Sequence, residues 1–172
     1  GPKEGKWANI APNTPLYKDG KIFFCHGYNI NGVMLQLSDD LKSVSVVWRT
    51  DVLDTHHGGY VEVNGTIYGS NWINNNQGNW CAIDWNTGAK GYETTWTGGK
   101  GKGSIIAADG MLYCYDERRG AVALVNPDPA KFDIVSEFRI TKGVGPHWAH
   151  PVIVNGVLYI RHGFALMAYK VK

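Results

Sequence analysis

The sequence predicts an all-β fold built from four similar sheets of short strands. The dipeptides Asp19-Gly20, Asn64-Gly65, Asp109-Gly110 and Asn155-Gly156 recur with their glycines 45, 45 and 46 residues apart. Each is followed by a strand-forming triplet: Lys21-Ile22-Phe23, Thr66-Ile67-Tyr68, Met111-Leu112-Tyr113 or Val157-Leu158-Tyr159. Asx-Gly between apolar runs is a strong hairpin signal, because a type I′ turn needs positive φ at both central residues. A second kind of turn lies at Asn86-Thr87-Gly88, between the alternating Cys81-Ala82-Ile83-Asp84 and the aromatic Tyr92, and reads as an outer hairpin. A period near 45 that holds four short strands is the signature of a propeller blade.

The elements follow in order. The repeats span approximately 12–57, 58–102, 103–148 and 149–172 of a single segment, 1–172. The first repeat is expected to hold strands at 16–18, 21–26, 33–37 and 45–50. The second holds 60–63, 66–70, 80–84 and 91–95; the third holds 104–108, 111–115, 121–125 and 134–140. The fourth has 151–154, 157–162 and 165–170, after which the chain stops at Lys172, so its outer strand is missing. An open sheet edge invites pairing, and Lys6-Trp7-Ala8-Asn9-Ile10 is the obvious segment to supply the strand. Gly20, Gly65, Gly110 and Gly156, with Asp84, Thr87 and Gly88, are structural residues of the repeat. Phe23, Tyr68, Tyr113 and Tyr159 are expected between blades, and Trp48, Tyr92 and Phe138 on outer strands.

The order Ala82-x-Asp84-x-x-Thr87-Gly88, with Tyr92 where a tryptophan is usual, resembles the repeat of the PQQ-like β-propeller family. The resemblance covers roughly residues 12 to 170. It implies a larger ring of seven or eight blades, of which this chain is about half, completed by a second copy in a homodimer or by a missing half-propeller. It also implies a periplasmic or secreted home. If the complete propeller were a quinoprotein, pyrroloquinoline quinone and calcium would be its cofactors and alcohol or sugar oxidation its activity. The family's enzymes use adjacent cysteines, a calcium held by carboxylate and amide oxygens, and a catalytic aspartate. Here there are no adjacent cysteines and no acid that matches such a motif, so no cofactor and no catalytic residue are expected.

Composition narrows the partners. With 44% hydrophobic and 12% aromatic residues the chain is folded rather than disordered. A formal charge of +2 without a basic block argues against nucleic acid. No apolar run approaches a membrane span. Cys25, Cys81 and Cys114 lie in expected strands without CxxC spacing and read as buried free thiols. No secretory leader is recognisable, and the opening Gly1-Pro2 reads as a cloning or processing scar with an upstream segment removed.

Strand parity locates the functional face. In an up-and-down blade the two hairpin turns share one face, and the longer connections, from second to third strand and from blade to blade, share the other. All six histidines fall on that long-loop face, where a rigid scaffold holds functional groups most readily. Alignment on the turn glycine puts Thr14, Gly59, Ser104 and His150 at one position beside the central channel, and His26, Asn71, Asp116 and His162 at another. The candidate ligand-binding residues are His56, His57, Lys102, His147, Trp148, His150, Arg161 and His162. They suit a small polar, anionic or carbohydrate ligand, the tryptophan as platform and the cations for orientation. The alternative is that they satisfy loop backbones and cap strand ends. His147-x-x-His150 with His56-His57 has imidazoles enough for zinc, but no carboxylate or thiolate at ligand spacing, so no metal is expected.

Overall fold

The computed structural model describes residues 11–171, all of it strand, turn and loop without a helix. Fifteen strands form four antiparallel sheets in which every strand pairs with its neighbour in sequence. The first sheet holds β1 (Leu16–Lys18), β2 (Lys21–Cys25), β3 (Gly32–Leu37) and β4 (Val44–Thr50). The second holds β5 (Tyr60–Val63), β6 (Thr66–Ser70), β7 (Trp80–Asp84) and β8 (Lys90–Thr94). The third holds β9 (Gly103–Ala108), β10 (Met111–Asp116), β11 (Ala121–Asn126) and β12 (Asp133–Arg139). The fourth holds only β13 (Val152–Val154), β14 (Val157–His162) and β15 (Ala165–Lys170). Among the described residues its outer strand is missing, as expected; the segment Lys6–Ile10, with Trp7, lies outside the described residues.

The inner hairpins take the conformation that their sequences require. Asp19, Asn64, Asp109 and Asn155 have φ of 51–52°, and the glycines after them 72–82°, the double positive φ of type I′. The outer turn of the second blade is held by Asp84, whose Oδ1 accepts from the amides of Asn86 and Thr87 at 3.0 and 2.8 Å and from the Thr87 hydroxyl at 2.8 Å. Gly88 closes it at φ 71°. A Cβ there would also lie 2.7 Å from the Trp48 ring of the first blade. The glycine therefore serves the turn and the packing of one blade on the next.

Strand ends differ from expectation by a residue or so. β8 and β12 each begin one residue earlier, and each of the three complete blades has a bulge between its third and fourth strands. A bulge adds a residue to one strand and shifts the register that alternation alone would assign.

Three apolar cores lie between successive blades. Phe23, Cys25 and Met34 of the first meet Ile67, Cys81 and Ile83 of the second. Tyr68, Trp80 and Tyr92 of the second meet Leu112, Cys114 and Ala123 of the third. Tyr113 and Tyr115 of the third meet Leu158 and Ile160 of the fourth. In each repeat the aromatic after the Asx-Gly turn thus faces the following blade, and the residue before it faces the preceding one. Tyr159 is the exception to its expected place between blades: it is only half-buried, because among the described residues no blade packs on its outer side.

The arc therefore has two unmatched faces. Residues directly opposite in an antiparallel ladder share a face, so Tyr17, Ile22, Leu35 and Val46 lie together at the head of the arc. Val152, Tyr159 and Ala168 lie together at its tail, beside Leu166 on the same strand. Tyr17, Val46, Val152 and Leu166 are all more than half exposed, an unusual display of large apolar side chains for a surface in water.

Candidate functional site

The loops that carry all six histidines touch one another on one face. Asp54, in the β4–β5 connector, is buried and its Oδ1 accepts from the amides of Gly27 and Asn31 at 2.8 and 3.1 Å. This folds the loop after His26 through positive φ at Tyr28, Asn29 and Asn31. Burial raises the Asp54 carboxyl above its usual range, against those amides and His26. The Tyr28 hydroxyl then lies 2.7 Å from His56 Nε2. Burial, with His57 and Lys102 adding, pushes the His56 imidazole down to about 4, so it is neutral near pH 7.

His57 sits at the centre. Its Nε2 is 3.2 Å from Glu117 Oε2 but off hydrogen-bond alignment. Its ring packs edge-on against Trp148, centroids 5.5 Å apart, and its carbonyl lies 2.8 Å from His150 Nε2. Glu117 also pairs with the Lys102 ammonium, which donates in addition to the Asn75 carbonyl at 2.9 Å. Burial alone would raise Glu117, but His57 and Lys102 outweigh it and hold the carboxyl below its usual value.

A second histidine group lies at the junction of the third and fourth blades. His147 and His162 stack with centroids 3.7 Å apart and planes 21° from parallel. The Tyr115 hydroxyl meets His147 Nδ1, and both ring nitrogens of His162 lie 2.7 Å from carbonyls, those of Lys142 and Gly145. Burial and the neighbouring His162 lower His147, with Asp116 opposing. The pair ties the long connector of residues 141–149, and with it Trp148, to the strand end of the last blade.

The eight expected ligand residues therefore separate. Lys102, His147 and His162, expected among the ligand-binding residues, are buried and bonded within the protein. His56 and His57 form the floor, Trp148 and His150 stand exposed above it, and Arg161 lies apart, its Nε on the Gly163 carbonyl at 3.1 Å. A cleft of about 360 Å³ opens beside them, lined by Asn13, Thr14, His57, Gly59, Ile105 and His150. The expected channel-side position of Thr14, Gly59 and His150 is thus one shared wall. Glu117, Asp54, Tyr28 and Asn13 went unnoticed in the sequence. Asn13 alone clasps the rim, its side chain donating to the carbonyls of Thr55 and His56 at 2.8 and 3.0 Å and accepting from the Gly59 amide. Only a polar residue one turn ahead of the first strand hinted at it.

The three cysteines are buried in three different blades, and burial raises each thiol, Cys25 to about 12. Among the described residues no three His, Cys, Asp or Glu side chains gather as a metal-binding group.

No family model matches the chain, and no curated sequence matches it significantly. Its backbone does match solved structures. BamB from Moraxella catarrhalis superposes with a TM-score of 0.68 at 13% identity, over 95% of this chain and 48% of that one. Quinohemoprotein alcohol dehydrogenase from Comamonas testosteroni superposes with 0.61 at 14% identity, over 87% of this chain and 28% of that one. The enzyme ADHIIG from Pseudomonas putida HK5 gives 0.61 at 16% identity, over 86% and 28%. The fold is that of the PQQ-like β-propellers. The chain spans about half the length of the BamB structure and less of the dehydrogenases, so what it forms by itself is part of a ring. At these identities the likeness is one of fold. Among the described residues no helix is long and apolar enough to cross a membrane.

Proposed function

We propose that this chain is a non-catalytic PQQ-like propeller module that binds a ligand or a protein partner at its long-loop face. One observation carries the reading. Of the ionisable groups of the floor, Lys102 pairs with Glu117, which His57 also approaches at 3.2 Å, and the His147–His162 pair is bonded to the Tyr115 hydroxyl and to carbonyls. Trp148, 58% exposed, packs edge-on over the His57 ring, and the exposed His150 reaches the His57 carbonyl, so both stand at the solvent edge of that network. A rigid, internally paired floor beneath an exposed aromatic platform suits recognition of a polar or carbohydrate surface.

The ring is completed by a second copy of the chain or by a missing half-propeller, and the matching end faces favour the second copy. Successive blades within the chain already pack tail to head through repeated positions, so the exposed tail face around Tyr159 offers what the head face around Ile22 is built to meet. Two copies also have the combined length of the BamB structure. Light scattering at micromolar concentration is then expected to give roughly twice the 19.0 kDa chain mass, and a monomer there rejects the pairing.

The quinohemoprotein neighbours favour a second reading, part of a quinone-dependent alcohol or sugar dehydrogenase. The fit is poor, because the cysteines are isolated in separate blades and, among the described residues, the mouth presents no cluster of carboxylates for calcium. A periplasmic or secreted location rests on the family resemblance. The test of the binding reading is a titration with sugars and polar fragments followed by tryptophan fluorescence and NMR. Trp148→Ala or His150→Ala should abolish binding with stability nearly unchanged; unfolding of either variant, or binding that ignores both, rejects it.

A further inference from the structure

The head face carries a cleft at the place where every later blade is met by a plug. Ahead of the second, third and fourth blades, the connector from the blade before drops one large apolar side chain onto the face it meets: Leu53, Trp96 and Ile140, all 5% exposed or less. Each settles at the residue four places after the turn glycine. A Cβ on Gly69 would lie 3.0 Å from Leu53, Trp96 clusters with Cys114, and Ile140 with Ile160. The side chain two residues further on then fixes the connector's backbone. The Asn71 amide donates to the Val52 carbonyl at 3.0 Å, Asp116 accepts from the Lys100 amide at 2.9 Å, and His162 Nδ1 lies 2.7 Å from the Lys142 carbonyl.

In the first blade these two positions are Phe24 and His26, and they line a cleft of about 140 Å³ together with Val33, Leu35 and Arg49. Phe24, Val33 and Arg49 stand opposite one another across β2, β3 and β4, as Gly69, Cys81 and Glu93 do in the second blade. The cleft is thus the fourth member of the series, and among the described residues no connector side chain fills it. Spacing points to the one that would. Leu53, Trp96 and Ile140 stand six, eight and ten residues ahead of Gly59, Ser104 and His150, the equivalent positions where inner strands begin. The same window ahead of Thr14 runs from Glu4 to Ala8, and Trp7 is its single large apolar residue. Arg49 occupies the place of Glu93 and Glu137, the latter accepting from Trp96 Nε1 at 2.9 Å. A guanidinium there offers an indole a contact on its face instead.

We propose that Trp7 of the same chain seats in this cleft, its indole against Phe24, Val33 and Arg49, and pins the segment ahead of the first blade to the head face as the later connectors are pinned to theirs. Tyr17, Ile22 and Val46 stay open to a further blade, so the placement holds whichever partner completes the ring. It gives Trp7 a different task from supplying the outer strand beside β15.

Nuclear Overhauser contacts in the full chain test this. The Trp7 indole, assigned by comparison with Trp7→Phe, should show contacts to the Val33 and Leu35 methyls and to the Phe24 ring. Trp7→Ala should open the cleft, so that added indole shifts those methyls at millimolar concentration, as apolar cavities take up small aromatics, and binds the parent about tenfold or more weakly. Contacts from Trp7 to Ala165–Lys170, within one chain or between copies in a mixed-label sample, would put it on the open edge of β15 and overturn the proposal. Contacts from a second copy's Leu166 to Val33, or equal binding of indole by parent and variant, would overturn it too. Should Trp7→Ala fail to fold, the contacts in the parent decide alone.

Discussion

Tyr68 and Tyr159 occupy the same position in their repeats, yet only one has a blade to pack against, which makes the pair a measure of whether the ring is completed in solution. Tyr68 is 1% exposed between the second and third blades. An aromatic buried to that degree removes on the order of 150–200 Å² from water. At roughly 25 cal/mol per Å², Tyr68→Ala should then cost about 4–5 kcal/mol, within the range of about 3–5 kcal/mol for large core truncations. Tyr159 is half-buried on the tail face, so in an isolated arc Tyr159→Ala should cost about 1–2 kcal/mol. If a second copy seats there, the two costs converge and that of Tyr159→Ala grows with protein concentration. Urea unfolding of the parent and both variants at two concentrations gives the comparison. A loss below about 1 kcal/mol for Tyr68→Ala would refute the assignment of this aromatic to the inter-blade core.

Other outcomes follow from the site and the turns. His56 is held near 4 by burial, below its ordinary 6.5, and His147 is lowered in the same sense. The unfolded chain therefore takes up protons first as pH falls below 6.5, and stability should decline from there towards pH 4 and then level off as far as these groups act. Asp54, raised by burial, opposes the decline and Glu117, lowered, adds to it only below the usual carboxyl range. Melting temperature against pH for the parent and His56→Phe checks this, a variant curve as steep as the parent's between 6.5 and 4 counting against His56. Gly88→Ala should destabilise by about 1–3 kcal/mol, since it meets both a positive φ of 71° and the Trp48 ring 2.7 Å away; a neutral change in denaturant unfolding would show that the turn relaxes. Cys25, Cys81 and Cys114 should resist a thiol-specific dye in the native protein and react fully in denaturant, and fast labelling of native protein would contradict their burial.

The blade itself was legible from sequence because its signals are local. Asp19-Gly20 and its three counterparts adopt positive φ whatever surrounds them, and Asp84 reaches its own turn amides within three residues. The alternation of Phe23, Tyr68 and Tyr113 with their small and aliphatic neighbours states which face is apolar. Even the histidines' common face followed from counting strands. Tertiary structure decided how the side chains on that face were used. Glu117 meets His57 from 60 residues away and Lys102 from 15, and each contact depends on how one blade is rotated against the next, which leaves no trace in spacing. Lys102, His147 and His162 read as ligand-binding candidates for that reason, and the structure pairs them with the protein's own carboxylate, hydroxyl and carbonyls. Tyr159 carries the same residue type and the same turn as Tyr68 and Tyr113. Its exposure follows only from its being in the last blade of the arc, because burial belongs to what packs alongside rather than to the residue.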